Sequence, residues 1–179
     1  MKVVISEEQI RQGIRRMADE IRQQYAGRPL TLVGVMIGSI TLLADLVRLL
    51  DLPLRVELVQ SRNPISDASR PGPLVIDLDL LSPDIRNRHV LLVDDIFATG
   101  QTLWELVPQI DELGPASVRK AVLLRKRGRC TTPIQPDFVG FDIPDVFVVG
   151  YGLDYQDRYH HLPYIAQLEA AEMGGESAR

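Results

Sequence analysis

The chain has 179 residues, of which 45% are hydrophobic, and a formal net charge of −4 at pH 7. This size suits one hydrophobic core and is too small for two domains of typical length. The acidic balance gives no support to nucleic-acid binding, and no apolar run approaches a membrane span. Cys130 is the only cysteine, which excludes an internal disulfide and the usual multi-cysteine zinc sites. The first residues also lack the features of a signal peptide, so we expect a cytoplasmic protein.

The first predicted element is a helix that begins after a capping box. Ser6 and Gln9 have the spacing of that motif, and an apolar stripe at residues 10, 14, 17 and 21 ends before Gly27. We interpret this helix as packing only. The apolar run 30–37 then predicts a buried strand, followed by a glycine turn and an amphipathic helix up to residue 50.

Residues 61–73 predict a long loop after a strand at 55–60. They contain three prolines, three serines and one glycine and show no apolar periodicity. A long polar loop in a compact domain often closes over a site, although a disordered segment would have the same composition. A further strand is predicted over residues 74–80 and a turn over 83–85.

The most informative stretch is residues 90–103. Four consecutive branched apolar residues at 90–93 predict a strand buried on both faces, as in a parallel sheet. Asp94 and Asp95 follow at its carboxyl end, where open α/β sheets place their ligands. An ordinary strand–helix turn, in which an acid complements the dipole of the following helix, is the alternative, but it would explain only one carboxylate. Two adjacent carboxylates are better explained by ribose hydroxyls or a hydrated Mg²⁺.

The turn after the two acids, residues 98–102, is called the phosphate loop below. It contains Thr99, Gly100 and Thr102 and leads into a helix predicted to open at Thr102. Free backbone N–H groups at a helix start, two hydroxyls and a glycine that permits close approach are suited to binding phosphate. The stretch therefore predicts a site for a sugar that carries a phosphate.

The C-terminal third contains two more predicted strands. The first covers residues 118–124 and is followed by a basic segment at 125–129. A solvated surface is the favoured interpretation of that segment, and attraction of a polyanionic substrate is the alternative. Residues 147–155 are predicted to form the last strand and its exit, and residues 166–179 a frayed tail.

These motifs resemble those of the type I phosphoribosyltransferases. Residues 90–102 are similar to the family's phosphoribosyl pyrophosphate (PRPP) motif of four apolar residues, two acids, two apolar residues and x-T-G-x-T. Residues 136–155 resemble the purine-binding end of its hypoxanthine-guanine members. The resemblance covers most of residues 30–165. It implies an α/β fold with a mostly parallel, roughly five-stranded sheet, helices on both faces and a small hood, in a single domain over 1–179 with a flexible lid loop at 61–73.

The resemblance also implies an activity. It is the Mg²⁺-dependent transfer of 5-phosphoribosyl from PRPP to hypoxanthine or guanine in purine salvage, which gives IMP or GMP and releases pyrophosphate. Asp94 and Asp95 would hold the ribose hydroxyls and the metal. Asp154 would bind a second Mg²⁺ or a purine amino group. By analogy with the family, we expect a homodimer or homotetramer that binds neither nucleic acid nor membrane.

The remaining substrate contacts implied by the resemblance fall into three groups, for pyrophosphate, 5′-phosphate and base. Pyrophosphate would meet the turn formed by Ile37, Gly38 and Ser39, with His160 facing it. The 5′-phosphate would lie in the phosphate loop, formed by Ala98, Thr99, Gly100, Gln101 and Thr102. The base would stack on Phe147, with the Val148 backbone reading its edge and Gln135 close to its exocyclic group.

Five positions depart from the hypoxanthine-guanine pattern. Ile37 and His160 replace basic residues near pyrophosphate, Arg62 replaces a lid tyrosine, and Ala98 replaces an acid that serves the purine N7 as proton partner. Gln135 is taken to replace a lysine that donates to the exocyclic oxygen. Adenine phosphoribosyltransferases also carry Ala-Thr-Gly after the acids. Three readings therefore stand: a transferase, a weakened paralogue that binds PRPP or a purine nucleotide as a regulator, and a purely structural protein.

Overall fold

A computed structural model of the chain describes residues 1–60, 81, 85–169 and 172. The lid loop predicted at 61–73, the strand predicted at 74–80 and most of the turn predicted at 83–85 lie outside the described residues, as does the departure at Arg62. The described elements are β1 (Lys2–Ile5), α1 (Glu7–Tyr25), β2 (Leu30–Met36), α2 (Ile40–Leu49), β3 (Leu54–Gln60), β4 (His89–Phe97), α3 (Gln101–Asp111), β5 (Ser117–Lys126), β6 (Phe138–Ile143), β7 (Val148–Val149) and β8 (Ile165–Gln167).

The main sheet has five parallel strands in the order β3-β2-β4-β5-β6. Its central strand is β4, and residues 90–93 within it have no exposed surface. Because both neighbours of β4 run parallel to it, its carboxyl end opens at the edge where βα turns converge. The predicted α/β fold with a roughly five-stranded parallel sheet is confirmed.

Helices cover both faces of this sheet. The apolar stripe of α1 and the inward side of α2 pack in one core with β2 and β4, and α3 packs in a second core on the other face. The predicted capping box of α1 is present, since the Ser6 hydroxyl accepts from the Gln9 backbone and the Gln9 side chain accepts from the Ser6 backbone. The layers therefore hold β4 between two apolar surfaces.

A second sheet of three antiparallel strands, β1-β8-β7, lies outside the main one and is called the hood sheet below. Residues 147–155 are predicted to contain the last strand and its exit. The strand there is Val148–Val149, which belongs to the hood sheet, and it is not the last one, because β8 follows at Ile165–Gln167. The fifth strand of the main sheet is β6, which was not predicted from the sequence. Gly140 in β6 allows close approach, since a Cβ there would lie 2.6 Å from the Leu123 carbonyl oxygen.

The frayed tail predicted over 166–179 does not begin at residue 166. Ala166 is fully buried in β8, and Leu168 is 3% exposed and donates its backbone N–H to the Phe147 carbonyl. The prediction is therefore wrong for residues 166–168, because two apolar side chains there are buried in the core. Glu172 forms an ion pair with the Met1 amino group at 2.6 Å, and the other residues beyond 169 lie outside the described part. Within that part, no helix is long and apolar enough to cross a membrane.

Candidate active site

The two predicted acids lie together near the carboxyl end of β4. Asp94 is 7% exposed, and its Oδ1 accepts the backbone N–H of Asp95 at 2.9 Å. The Asp95 Oδ1 accepts the N–H of Ile96 at 2.6 Å. The strand fixes both backbones, so the carboxylates are held before any ligand arrives.

Burial dominates the electrostatics of this pair. It raises the pKa of Asp94 well above its usual range, and the adjacent Asp95 raises it further. Burial also raises the pKa of Asp95, against the lowering effect of hydrogen bonds to Asp94 and backbone amides, and the charge of Asp154 adds to the rise. Two buried like charges favour proton uptake, so a cation or hydroxyl donor beside them would stabilise their ionised form.

The β2–α2 turn presents its backbone to these acids. A Cβ on Gly38 would lie 1.6 Å from the Asp95 Oδ2, so only glycine fits there. The peptide bond that joins Met36 to Ile37 is cis, and the Ile37 side chain is 58% exposed. The buried Ser39 hydroxyl donates to the Val35 carbonyl at 2.6 Å. The turn therefore offers backbone groups and an apolar side chain rather than the Ser39 hydroxyl.

The segment after β7 closes the same site from the hood side. Gly152 has φ +97°, and a Cβ on it would lie 2.6 Å from the Gly38 carbonyl oxygen. Asp154 accepts the backbone N–H of Asp157 at 3.1 Å and is close enough to raise the pKa of Asp95. The His160 ring Nδ1 lies 2.9 Å from the Gly152 carbonyl oxygen. The predicted residues 38, 95 and 154 are thus brought to one edge, and His160 is tied to the same segment through Gly152.

The phosphate loop joins β4 to α3. Gly100 has φ +84°, a left-handed conformation that favours glycine, and its carbonyl accepts the N–H of Trp104 at 2.9 Å. The Thr99 hydroxyl accepts the N–H of Gln101 at 3.3 Å. Since α3 begins at Gln101, the loop lies at a helix N-terminus, where backbone N–H groups and the helix dipole favour an anion.

An aromatic pair lies beside the start of the hood sheet. Phe147 is 40% exposed, and its ring centroid is 5.5 Å from that of Tyr155 at an interplanar angle of 83°. Val148 follows in β7 and is 6% exposed. An exposed ring face with an edge contact behind it is a suitable surface for stacking a planar base.

The sequence does not indicate Lys126 as a site candidate. The solvated-surface interpretation of segment 125–129 is wrong for this residue, whose side chain is 11% exposed and pairs with Asp145 at 3.2 Å. Gln135 is exposed on the following connection and donates to the Cys130 sulfur at 3.5 Å. Both residues line a cavity of about 260 Å³ that reaches Phe97. The signal for Lys126 was its place at the end of a strand parallel to β4.

No group of three or more histidine, cysteine or acidic side chains gathers closely enough to hold a metal in the described part of the chain. The three predicted metal ligands, Asp94, Asp95 and Asp154, therefore do not form a closed cage by themselves. Mg²⁺ usually keeps several waters and takes one or two carboxylates together with substrate phosphates. The adjacent carboxylates of Asp94 and Asp95 fit that mode of binding, since they supply two oxygen donors and leave the other positions to water and substrate.

Comparison with known proteins gives the class of this fold and site. The family model described as the phosphoribosyl transferase domain matches residues 5–156, so the chain belongs to the phosphoribosyltransferase family, as its motifs predicted. Among its relatives, the hypoxanthine-guanine phosphoribosyltransferase of Streptococcus pneumoniae is 38% identical over 168 residues, which cover 94% of this chain and 93% of that protein. The Bacillus subtilis enzyme of the same name is 35% identical over 170 residues, covering 95% and 94%. A crystal structure of a hypoxanthine phosphoribosyltransferase from Staphylococcus aureus superposes with a TM-score of 0.89 at 33% identity and covers 98% of this chain and 95% of that one.

Proposed function

We propose that the chain transfers 5-phosphoribosyl from PRPP to hypoxanthine or guanine, giving IMP or GMP and pyrophosphate in purine salvage. The observation that carries the proposal is the acid pair at the end of β4, with Asp94 buried and Asp95 half-buried, directly followed by the phosphate loop. The names of its relatives supply the reaction class. A purely structural protein would not need two adjacent carboxylates at the carboxyl end of β4, one of them buried, directly before a phosphate loop.

The residues of the site would act mainly by positioning and charge. The reaction passes through a transition state that resembles a ribosyl oxocarbenium ion, so the protein must hold the base in line and accommodate the pyrophosphate charge. Asp94 and Asp95 would accept the ribose hydroxyls, and the backbone at Gly38 would meet pyrophosphate. The acid pair would hold one Mg²⁺ together with water and substrate oxygens, and its charge would be neutralising beside the leaving group. Asp154 would bind a second Mg²⁺ or a purine amino group.

For base selection, we favour Lys126 over Gln135 as the donor to the exocyclic oxygen of the purine. Lys126 ends β5, and its partner Asp145 is two residues before Phe147, the proposed stacking ring. An ammonium group only donates hydrogen bonds, so it favours 6-oxopurines and penalises the amino group of adenine. Gln135 points its amide at Cys130 instead.

The experiment that tests the reaction is a panel of hypoxanthine, guanine, xanthine and adenine with PRPP and Mg²⁺, read as pyrophosphate release. We expect release with the 6-oxopurines and its loss in Asp94→Asn and Asp95→Asn variants. Absence of release with every base, in a protein that still binds PRPP by calorimetry, would favour the weakened paralogue.

The base-reading assignment has its own test. Lys126→Gln should lower kcat/KM for hypoxanthine by roughly 10- to 100-fold, the cost of an unpaired buried partner, and should reduce its advantage over adenine. Gln135→Ala, a change in the same cavity, should leave that ratio unchanged. If Gln135→Lys sharpens the ratio while Lys126→Gln does not alter it, Gln135 reads the base.

Oligomeric state and cellular location stay predictions. We infer a homodimer or homotetramer from the phosphoribosyltransferase family alone. Light scattering on the protein as it elutes from a size-exclusion column would give its molar mass and so distinguish a dimer or tetramer from a monomer.

A further inference from the structure

The Thr99 carbonyl, in the phosphate loop, accepts hydrogen bonds from a distant part of the chain. The Thr131 backbone N–H donates to it at 3.0 Å, the Thr132 hydroxyl at 3.3 Å and the Thr131 hydroxyl at 3.5 Å. These donors lie on the connection between β5 and β6, more than 30 residues away in sequence. The phosphate loop is therefore tied to that connection through one oxygen atom.

The Thr132 hydroxyl also lies against the next residue of the loop. A Cβ on Gly100 would be 2.3 Å from the Thr132 Oγ1, so only the hydrogen of glycine fits between them. The positive φ of Gly100 and the contact with Thr132 thus occur at the same residue. Thr132 both holds the Thr99 carbonyl and bounds the space behind Gly100.

Thr132 is itself held in place. The Cys130 thiol donates to the Thr132 carbonyl at 3.2 Å, and the Gln135 side chain donates to the Cys130 sulfur at 3.5 Å. A short stretch of the connection therefore forms its own hydrogen-bond network, with the Thr132 side chain directed at the phosphate loop. A side chain fixed in this way can impose an orientation on its acceptor.

The orientation matters because the peptide bond between Thr99 and Gly100 is planar and trans. Its C=O and its N–H point in opposite directions, so anchoring the carbonyl of Thr99 also sets the direction of the Gly100 N–H. In the described part of the chain, no atom accepts a hydrogen bond from that N–H. Among the described residues it is therefore a donor without an acceptor at the start of α3.

We propose that Thr132 is a positioning residue for phosphoribosyl transfer: by holding the Thr99 carbonyl, it directs the Gly100 amide at the 5′-phosphate of PRPP and of the product nucleotide. The inference rests on the proposed function, because it needs the phosphate at this loop. It adds a side chain outside the family's sequence motifs to the determinants of phosphate binding. A side chain that only closed a surface turn would affect folding and would not distinguish ligands with a 5′-phosphate from those without one.

The test compares Thr132→Val, which keeps the shape and removes the hydroxyl, with Thr132→Ser, which keeps the hydroxyl. In Thr132→Val we expect the KM for PRPP and the Kd of GMP to rise roughly five- to tenfold, the factor that corresponds to one hydrogen bond, with the KM for hypoxanthine and the Kd of guanosine unchanged. Thr132→Ser should keep the wild-type values of these constants, because it keeps the hydroxyl. Thr131→Val should have a smaller effect. The shortest hydrogen bond to the Thr99 carbonyl is donated by the Thr131 backbone N–H, which this substitution keeps.

Two results would contradict the inference. An unchanged KM for PRPP in Thr132→Val, or equal weakening of GMP and guanosine, would overturn it. If the Tm shows that the valine variant does not fold, Thr132→Ala replaces it, since alanine removes the same hydroxyl and needs no extra space. That variant must then bind PRPP and GMP more weakly, with hypoxanthine and guanosine unchanged. Wild-type protein without turnover on any purine would instead refute the proposed function, and the GMP titration would still decide the role of Thr132.

Discussion

Among single residues, Ala98 has the most direct chemical consequence. It follows β4 at the place where the resemblance puts an acid that exchanges a proton with the purine. General acid–base catalysis contributes roughly 10²–10⁴-fold, so Ala98→Asp should raise kcat on hypoxanthine or guanine even if the new carboxylate is imperfectly placed. Steady-state kinetics with saturating PRPP would measure the gain.

Ala98→Asn is the matched control for this change, since it has nearly the same shape and accepts no proton near neutral pH. An equal gain in both variants would mean that the added side chain acts by packing. A folded Ala98→Asp variant that binds PRPP and turns over no faster would show that another group already supplies the proton.

The residues that the sequence could predict are those whose chemistry is local. The acids at 94 and 95 and the phosphate loop follow one strand directly, so their type and spacing are enough. Lys126 and Thr132 depend on which strands are neighbours and on where a connection returns, which a linear pattern does not contain. The sequence pattern therefore groups Lys126 with solvated charges and does not single out Thr132.

Among the connecting turns, the close approach of the β2–α2 turn to β4 makes a strong prediction. Because a Cβ on Gly38 would lie 1.6 Å from the Asp95 Oδ2, Gly38→Ala must displace the turn or the carboxylate. A displacement of about 1 Å at a reacting centre can lower the rate by roughly 100-fold, so we expect kcat/KM to fall by at least that factor. The loss should appear with every purine.

Gly114→Ala is the control for general effects of removing a glycine. Gly114 has φ +72° at a turn after α3, and an added Cβ there would have no atom within 4 Å. The variant should lose about 1 kcal/mol of stability from backbone strain and keep its kinetic constants. Similar kinetics in Gly38→Ala and Gly114→Ala would contradict the role given to the β2–α2 turn.

The elements themselves were predicted unevenly. The amphipathic helices and the strands β2 and β4 have long periodic or apolar patterns, so the sequence predicts them. Strands β1, β7 and β8 have two to four residues each, which is too short for periodicity. Their pairing is set by tertiary contacts of the hood sheet. The same contacts bury Ala166 and Leu168 in a segment whose composition indicated a frayed end.

For the molecule as a whole, the acid pair opposes stability. The pKa of Asp94 is raised in the folded state, so above its ordinary value of 3.8 the unfolded chain releases a proton that the folded chain retains. Stability from this group is therefore lost as pH rises through the folded pKa. Asp94→Asn should raise the free energy of unfolding near neutral pH and flatten its dependence on pH, while kcat/KM falls.

Urea unfolding between about pH 4 and pH 8 would measure both effects, and each 1 kcal/mol gained should raise Tm by about 2–4 °C. Asp111→Asn, on the exposed end of α3, is a control with the same chemical change and no buried charge. An Asp94→Asn variant less stable than the wild type at neutral pH would mean that the carboxylate is stabilised by its surroundings.

The position of Trp104 gives the chain an optical reporter of its own site. It is the only tryptophan, its side chain is 46% exposed, and its backbone N–H is bonded to Gly100 in the phosphate loop. Indole emission responds to the polarity and charge around the ring. We therefore expect a phosphate that binds at the start of α3 to change the fluorescence of this single side chain, so that binding can be followed in real time without a label.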